Sequence, residues 1–160
     1  MSAKGGGPSP TTGAPAGVRV RAMTAGDAAV VARLAGQLGY PSTEEQVRRR
    51  FEALQAQGDR ATFLAEDASG RVIGWAHVAR QITIEADPVG EVWGLVVDET
   101  ARNRRVGRLL MDVAEAWARE RGLTEMAVRS NVIRKDAHRF YLSIGYEIAK
   151  SQYKFRKRIA

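Results

Sequence analysis

A chain of 160 residues, 44% hydrophobic and 27% charged, has the size and make-up of one globular domain with a substantial interior. It contains no cysteine, which excludes disulfides, thiolate metal sites and a cysteine nucleophile, and its two histidines leave little material for a metal centre. The net charge of +7 raises a nucleic-acid reading, but no basic stripe interleaved with aromatics accompanies it, and no apolar run reaches the roughly 18 residues of a membrane span. The expectation is a cytoplasmic protein with no nucleic-acid or membrane partner and no metal.

Residues 1–17 carry five Gly and three Pro and, after Met1, no large apolar side chain. Such a stretch buries too little surface to offset its ordering entropy, so a flexible tail is expected there and a folded domain over residues 18–160. The tail also lacks the apolar centre of a signal peptide. Val18–Arg21 alternates apolar and charged residues as a strand does. Thr24 and Asp27 are spaced as a capping box for a helix whose Val31, Leu34, Ala35 and Leu38 share one face, closed by Gly39 and Pro41. Ser42 and Glu45 form a second such pair, ahead of the stripe Val47, Phe51 and Leu54 that runs to Gly58. Ala61–Glu66 and Val72–Thr83 predict strands joined by a turn at Asp67–Gly70, and Glu91–Val97 predicts a third. Val106, Leu109, Leu110, Val113, Ala114 and Trp117 then fall on one broad helical face ending at Gly122. Glu125–Arg129 reads as a short strand, Lys135–Ser143 as a short helix and Tyr146–Arg158 as a last strand. The order β-α-α-β-β-β-α-β-α-β predicts an α/β protein with a mixed sheet: antiparallel strands, then a βαβ unit, with helices on both faces.

The segment from Glu91 to Leu110 passes from a buried strand through a basic loop into the N-terminus of the long helix. Unpaired backbone N–H groups and the positive end of the helix dipole face such a loop. Gly107 lets a ligand approach the backbone, and Arg102, Arg104, Arg105 and Arg108 surround it. These features suit a diphosphate, although a capped helix with solvated arginines shows the same pattern. The lysines and arginines between Lys150 and Arg158 read either as a solvated strand edge that discourages pairing or as a contact for an acidic partner.

The loop resembles motif A of the GNAT N-acetyltransferases, where Arg/Gln-x-x-Gly-x-Gly/Ala wraps the pyrophosphate of coenzyme A. Arg102 and Gly107 match that pattern. Arg105 replaces the first glycine, where a side chain either crowds the loop or changes its backbone. The run Asn131-Val-Ile-Arg-Lys-Asp-Ala-His-Arg-Phe-Tyr-Leu-Ser-Ile-Gly-Tyr-Glu looks like motif B. It is most similar to the aminoalkylphosphonate N-acetyltransferases, which also lack the first loop glycine. The resemblance implies the GNAT acyl-CoA N-acyltransferase fold and acetyl-CoA as co-substrate. It further implies direct transfer, in a ternary complex, to a primary amine of a small-molecule acceptor such as an aminoalkylphosphonate. A homodimer is one arrangement it allows.

Carried over residue by residue, the resemblance lays the pantetheine arm along the backbone of Leu95, Val96 and Val97, beside a bulge that opens the sheet. It puts the pyrophosphate on Arg102, Asn103, Arg104, Arg105, Val106, Gly107 and Arg108. Asn131, Ala137, Phe140 and Tyr141 complete the coenzyme contacts. Tyr141 takes the place of the general acid for the departing sulfur, its alternative being plain packing under the last strand. Glu91 takes the place of a base, directly or through water, and the alternative is a satisfied edge carboxylate or one end of a salt bridge. His77 reads as a packed or surface side chain, with lining an acceptor cleft as the other option, and His138 as a helix-surface residue or one that supports the contact residues; Trp75 and Trp93 read as core, with flanking an acceptor as the other option. Aminoglycoside, polyamine, amino-acid and protein amines stay open as acceptors, and so does a non-catalytic acyl-CoA-binding domain.

Overall fold

The computed structural model describes residues 14–102 and 104–160. These divide into two compact units, one ending at Val128 and the other spanning Arg129–Ala160. Of the expected tail, residues 1–13 lie outside the described residues, while Ala14–Gly17 lead into a turn closed by the Val18 N–H on the Pro15 carbonyl at 3.1 Å.

The first unit is a sheet between helices. Strands β1 (Arg19–Ala22), β2 (Arg60–Glu66), β3 (Val72–Gln81), β4 (Val89–Val97) and β5 (Met126–Val128) lie side by side in that order. The first three pairings are antiparallel and β4–β5 is parallel, as a crossover through a helix requires. Helices α1 (Ala28–Gln37) and α2 (Glu44–Gln55) cover one face, where Val31, Leu34 and Phe51 cluster with Leu64 and Val96 and against Trp75. Helix α3 (Val106–Glu120) covers the other face with its whole expected stripe buried. Each such large apolar side chain contributes about 1.5–3 kcal/mol on leaving water. Glycine sets how closely α3 approaches: a Cβ on Gly74 would stand 3.2 Å from Leu110 and 2.8 Å from the Val96 carbonyl. No helix among the described residues is long and apolar enough to cross a membrane.

Two starts differ from expectation by local competition. The Thr24–Asp27 box is present, but it caps a 3-10 turn (Ala25–Asp27) that precedes α1. For α2 the cap is Thr43 with Gln46, not Ser42 with Glu45: Thr43 Oγ1 accepts the Gln46 N–H at 3.1 Å and Gln46 Oε1 accepts the Thr43 N–H at 3.0 Å. In the second unit, α4 (Lys135–Ser143) forms as expected, whereas residues 146–158 adopt no ladder. Alternation selects the faces of a strand without supplying a partner, and Tyr153 and Phe155 are exposed.

The far end of β4 is fixed by Asp98, whose residue is 1% exposed. Its carboxylate accepts the Thr100 N–H at 3.0 Å and the Thr100 hydroxyl at 2.9 Å, and pairs at 3.1 Å with Arg33 of α1 and at 3.1 Å with Arg71 of the β2–β3 turn. The Thr100 N–H first, then the Thr100 hydroxyl and Arg33, outweigh desolvation and hold the carboxyl at about 2. A carboxyl depressed from 3.8 to about 2 contributes stability that is complete above about pH 4 and is lost as pH falls toward 2. In urea unfolding the stability gap between the wild type and Asp98→Asn should therefore be constant above about pH 4 and narrow below it. A gap independent of pH would show that the Asp98 charge adds nothing.

Candidate active site

Cross-strand register arranges one sheet face into rows. Leu64, Trp75 and Val96 form the row under α1 and α2. The next row is Thr62, His77 and Gly94, and beyond it come Arg60, Ala79, Glu91 and Ala127. Between the last two rows β4 carries one extra residue: His77 faces Gly94 and Val78 faces Val92, so Trp93 is bulged out and half exposed. Gly94 is required here, since a Cβ would lie 2.5 Å from the Trp75 ring. The ladder with β5 covers Gly90, Glu91 and Val92 only. From Gly94 to Val97 no described residue pairs with β4 on that side, which leaves an open backbone edge along Leu95, Val96 and Val97.

Past β4, Asp98 caps a 3-10 turn (Glu99–Ala101) and the chain enters the basic loop. Asn103 lies outside the described residues. Arg102, Arg104, Arg105 and Arg108 are exposed. Arg108 stands 3.9 Å from Asp112, whereas Arg102, Arg104 and Arg105 pair with no described carboxylate. Arg105 is the N-cap of α3 and has φ 60° and ψ 17°, the left-handed conformation. Its backbone thus takes the left-handed shape that glycine adopts most readily. No described side chain caps α3 and its first turn has no acid, so the N–H groups of Val106, Gly107 and Arg108 remain available. Exposed guanidiniums around an uncapped helix N-terminus fit a diphosphate.

Glu91 is 3% exposed on a strand with neighbours on both sides, so it is no edge carboxylate, and it is already engaged. His77 Nδ1 lies 2.8 Å from Thr62 Oγ1. Burial, and next the Arg60 charge, push the imidazole down to about 4, which leaves it neutral near pH 7. Trp75 Nε1 is buried with no described hydrogen-bond partner.

In the second unit, Asn131 opens the turn before α4: its Oδ1 accepts the Ile133 N–H at 3.1 Å and its carbonyl lies 2.9 Å from His138 Nε2. Periodicity alone does not show that contact. Ala137, Phe140 and Tyr141 lie on α4. Tyr141 meets Phe140 edge-on at 5.2 Å and Tyr146 at 6.0 Å. Burial raises its phenol above the ordinary value against a smaller opposing effect of Arg134, which keeps it protonated near neutrality.

The Acetyltransferase (GNAT) family model matches residues 29–146. An aminoglycoside N(6')-acetyltransferase type 1 of Stenotrophomonas maltophilia is 32% identical across 86% of this chain and 91% of its own length. The aminoalkylphosphonate N-acetyltransferase of Salmonella typhimurium is 36% identical across 56% of this chain and 57% of its own. In fold, the chain is similar to AAC(6')-Iy solved with the bisubstrate analogue CoA-S-monomethyl-acetylneamine, with a TM-score of 0.77, 23% identity and coverage of 88% of this chain and 98% of that one.

A left-handed arginine stores about 1–2 kcal/mol, and a glycine there would return about 0.4–1 kcal/mol of it through a freer unfolded chain. Arg105→Gly should thus raise Tm by a few degrees, about 1 kcal/mol at most. Its acetyl-CoA Kd should rise no more than about tenfold, the scale of one charge-assisted hydrogen bond. A lowered Tm in differential scanning calorimetry would contradict the strain.

Proposed function

Because the chain belongs to the Acetyltransferase (GNAT) family, we propose that it moves the acetyl group of acetyl-CoA onto a primary amine of a small molecule by direct attack in a ternary complex. One observation carries the reading of the loop: a helix N-terminus that no described side chain caps, with Arg102, Arg104 and Arg105 pairing with no described carboxylate, comes next after the 3-10 turn that follows the strand whose edge is open among the described residues. Bound acetyl-CoA supplies a thioester; the amine nitrogen forms the new C–N bond as the C–S bond breaks. The loop Arg102–Arg108 holds the diphosphate through guanidiniums and the first N–H groups of α3. The open edge of Leu95–Val97 holds the pantetheine amides as an added strand would. Glu91 takes one proton from the acceptor ammonium, directly or through water, so that the neutral amine attacks; Tyr141 gives a proton to the departing sulfur, and the second proton that the nitrogen loses on becoming an amide replaces it.

For the acceptor, the breadth of the match favours an amino sugar: the relative named for aminoglycosides aligns over 86% of this chain, the one named for aminoalkylphosphonates over 56%. Release of coenzyme A thiol with kanamycin, 2-aminoethylphosphonate, glucosamine 6-phosphate and spermidine in parallel tests both. Turnover with kanamycin is the expected result, and acetyl-CoA binding without turnover of any amine would leave a non-catalytic acyl-CoA-binding domain. Tyr141→Phe keeps the ring and removes the acid, so kcat should fall by about 10²–10⁴ with acetyl-CoA affinity nearly unchanged. The wild-type rate should decline as pH rises through the raised phenol value, above about pH 10, and that limb should vanish in the variant. Full kcat with an unaltered profile would reduce Tyr141 to packing.

A further inference from the structure

The reaction assigned above leaves His77 without a task, yet its surroundings are those of a contact residue. On its own sheet face it stands in the first row beyond the one packed by α1 and α2, and it is only partly buried. Its cross-strand neighbour on β4 is Gly94, over which the Trp75 ring lies, and its neighbour along β3 away from Trp75 is Ala79, so no large side chain rises beside it on the Ala79 side. Thr62, on β2, fixes the ring: Oγ1 lies 2.8 Å from Nδ1, which directs Nε2 away from β2. The bulge at Trp93 separates this row from the row of Glu91, and beyond the bulge β4 has its open edge.

We propose that His77, aimed by Thr62, is a specificity residue whose Nε2 hydrogen-bonds the acceptor beside the amine that reacts. The proposal rests on the acetyl-transfer reading and names part of its acceptor site. Glu91 and His77 divide the work by charge: the carboxylate attracts the ammonium, while the neutral ring bonds the acceptor beside that ammonium without repelling it. Neutrality follows from burial and from Arg60, which shares the face one row away. An imidazole that became cationic near neutrality would oppose an ammonium acceptor; this one does not.

The test is steady-state kinetics of the full chain with kanamycin and with 2-aminoethylphosphonate at saturating acetyl-CoA, with acetyl-CoA Kd by calorimetry as the control for folding. His77→Phe keeps a planar ring and deletes both nitrogens; acceptor kcat/KM should fall by about tenfold or more, the scale of a hydrogen bond lost from a reacting complex, with acetyl-CoA Kd within about twofold. His77→Gln places a polar atom near Nε2 and should recover part of the loss, which a purely structural role would not produce. Thr62→Val should lower kcat/KM less than His77→Phe does. An active wild type whose His77→Phe variant keeps its acceptor kcat/KM overturns this inference and leaves acetyl transfer standing. A wild type that binds acetyl-CoA but acetylates neither amine overturns both.

Discussion

Burying a carboxylate is costly unless every lone pair finds a donor, and Asp98 meets that condition at the point where the sheet hands over to the basic loop. Its backbone N–H stays in the ladder region by donating to the Ile73 carbonyl at 2.8 Å, while its side chain reaches forward to Thr100 and sideways to α1 and to the β2–β3 turn. Gln37 adds a second tie, accepting the Glu99 N–H at 3.0 Å. The arginines on Asp98 are about half exposed and contribute little as ion pairs. The Thr100 bonds matter more, because they set the direction in which the chain leaves β4.

Two departures from regular structure follow on either side of that anchor. Upstream, the Trp75 ring above Gly94 accompanies the bulge at Trp93, after which the β4–β5 ladder does not continue. Downstream, Arg105 takes the left-handed conformation at the start of α3, which no described side chain caps. An open strand edge and an unsatisfied helix terminus are liabilities in most proteins. In the proposed function they present backbone amides to an extended ligand with an anionic end. The family match and the relatives agree with that chemistry: acetyl-CoA is such a ligand.

Much of this was legible in the residues. The stripe of α3 repeats every three or four residues over its whole length, and a pattern that long has one interpretation. The basic loop was readable because charge and glycine precede that stripe directly. What escaped was decided by tertiary contact or by near-degenerate local choices. Ser42 and Thr43 are both good caps three residues from a suitable partner, and Ser42 instead receives the Arg50 guanidinium at 2.9 Å. The alternation in residues 146–158 was real but has no ladder. The left-handed Arg105 violates a backbone preference that the residue type alone would have ruled out. Nothing in the sequence says that Arg33 and Arg71 meet Asp98.

The central claim is that the N–H groups at the start of α3 receive the phosphates. Amide hydrogen exchange of the full chain, with and without acetyl-CoA, reads those groups directly. The account predicts that Val106, Gly107 and Arg108 gain the strongest protection in the first unit, followed by the open edge at Leu95–Val97. Unchanged exchange at Val106–Arg108, with acetyl-CoA bound and protection concentrated elsewhere, would contradict it.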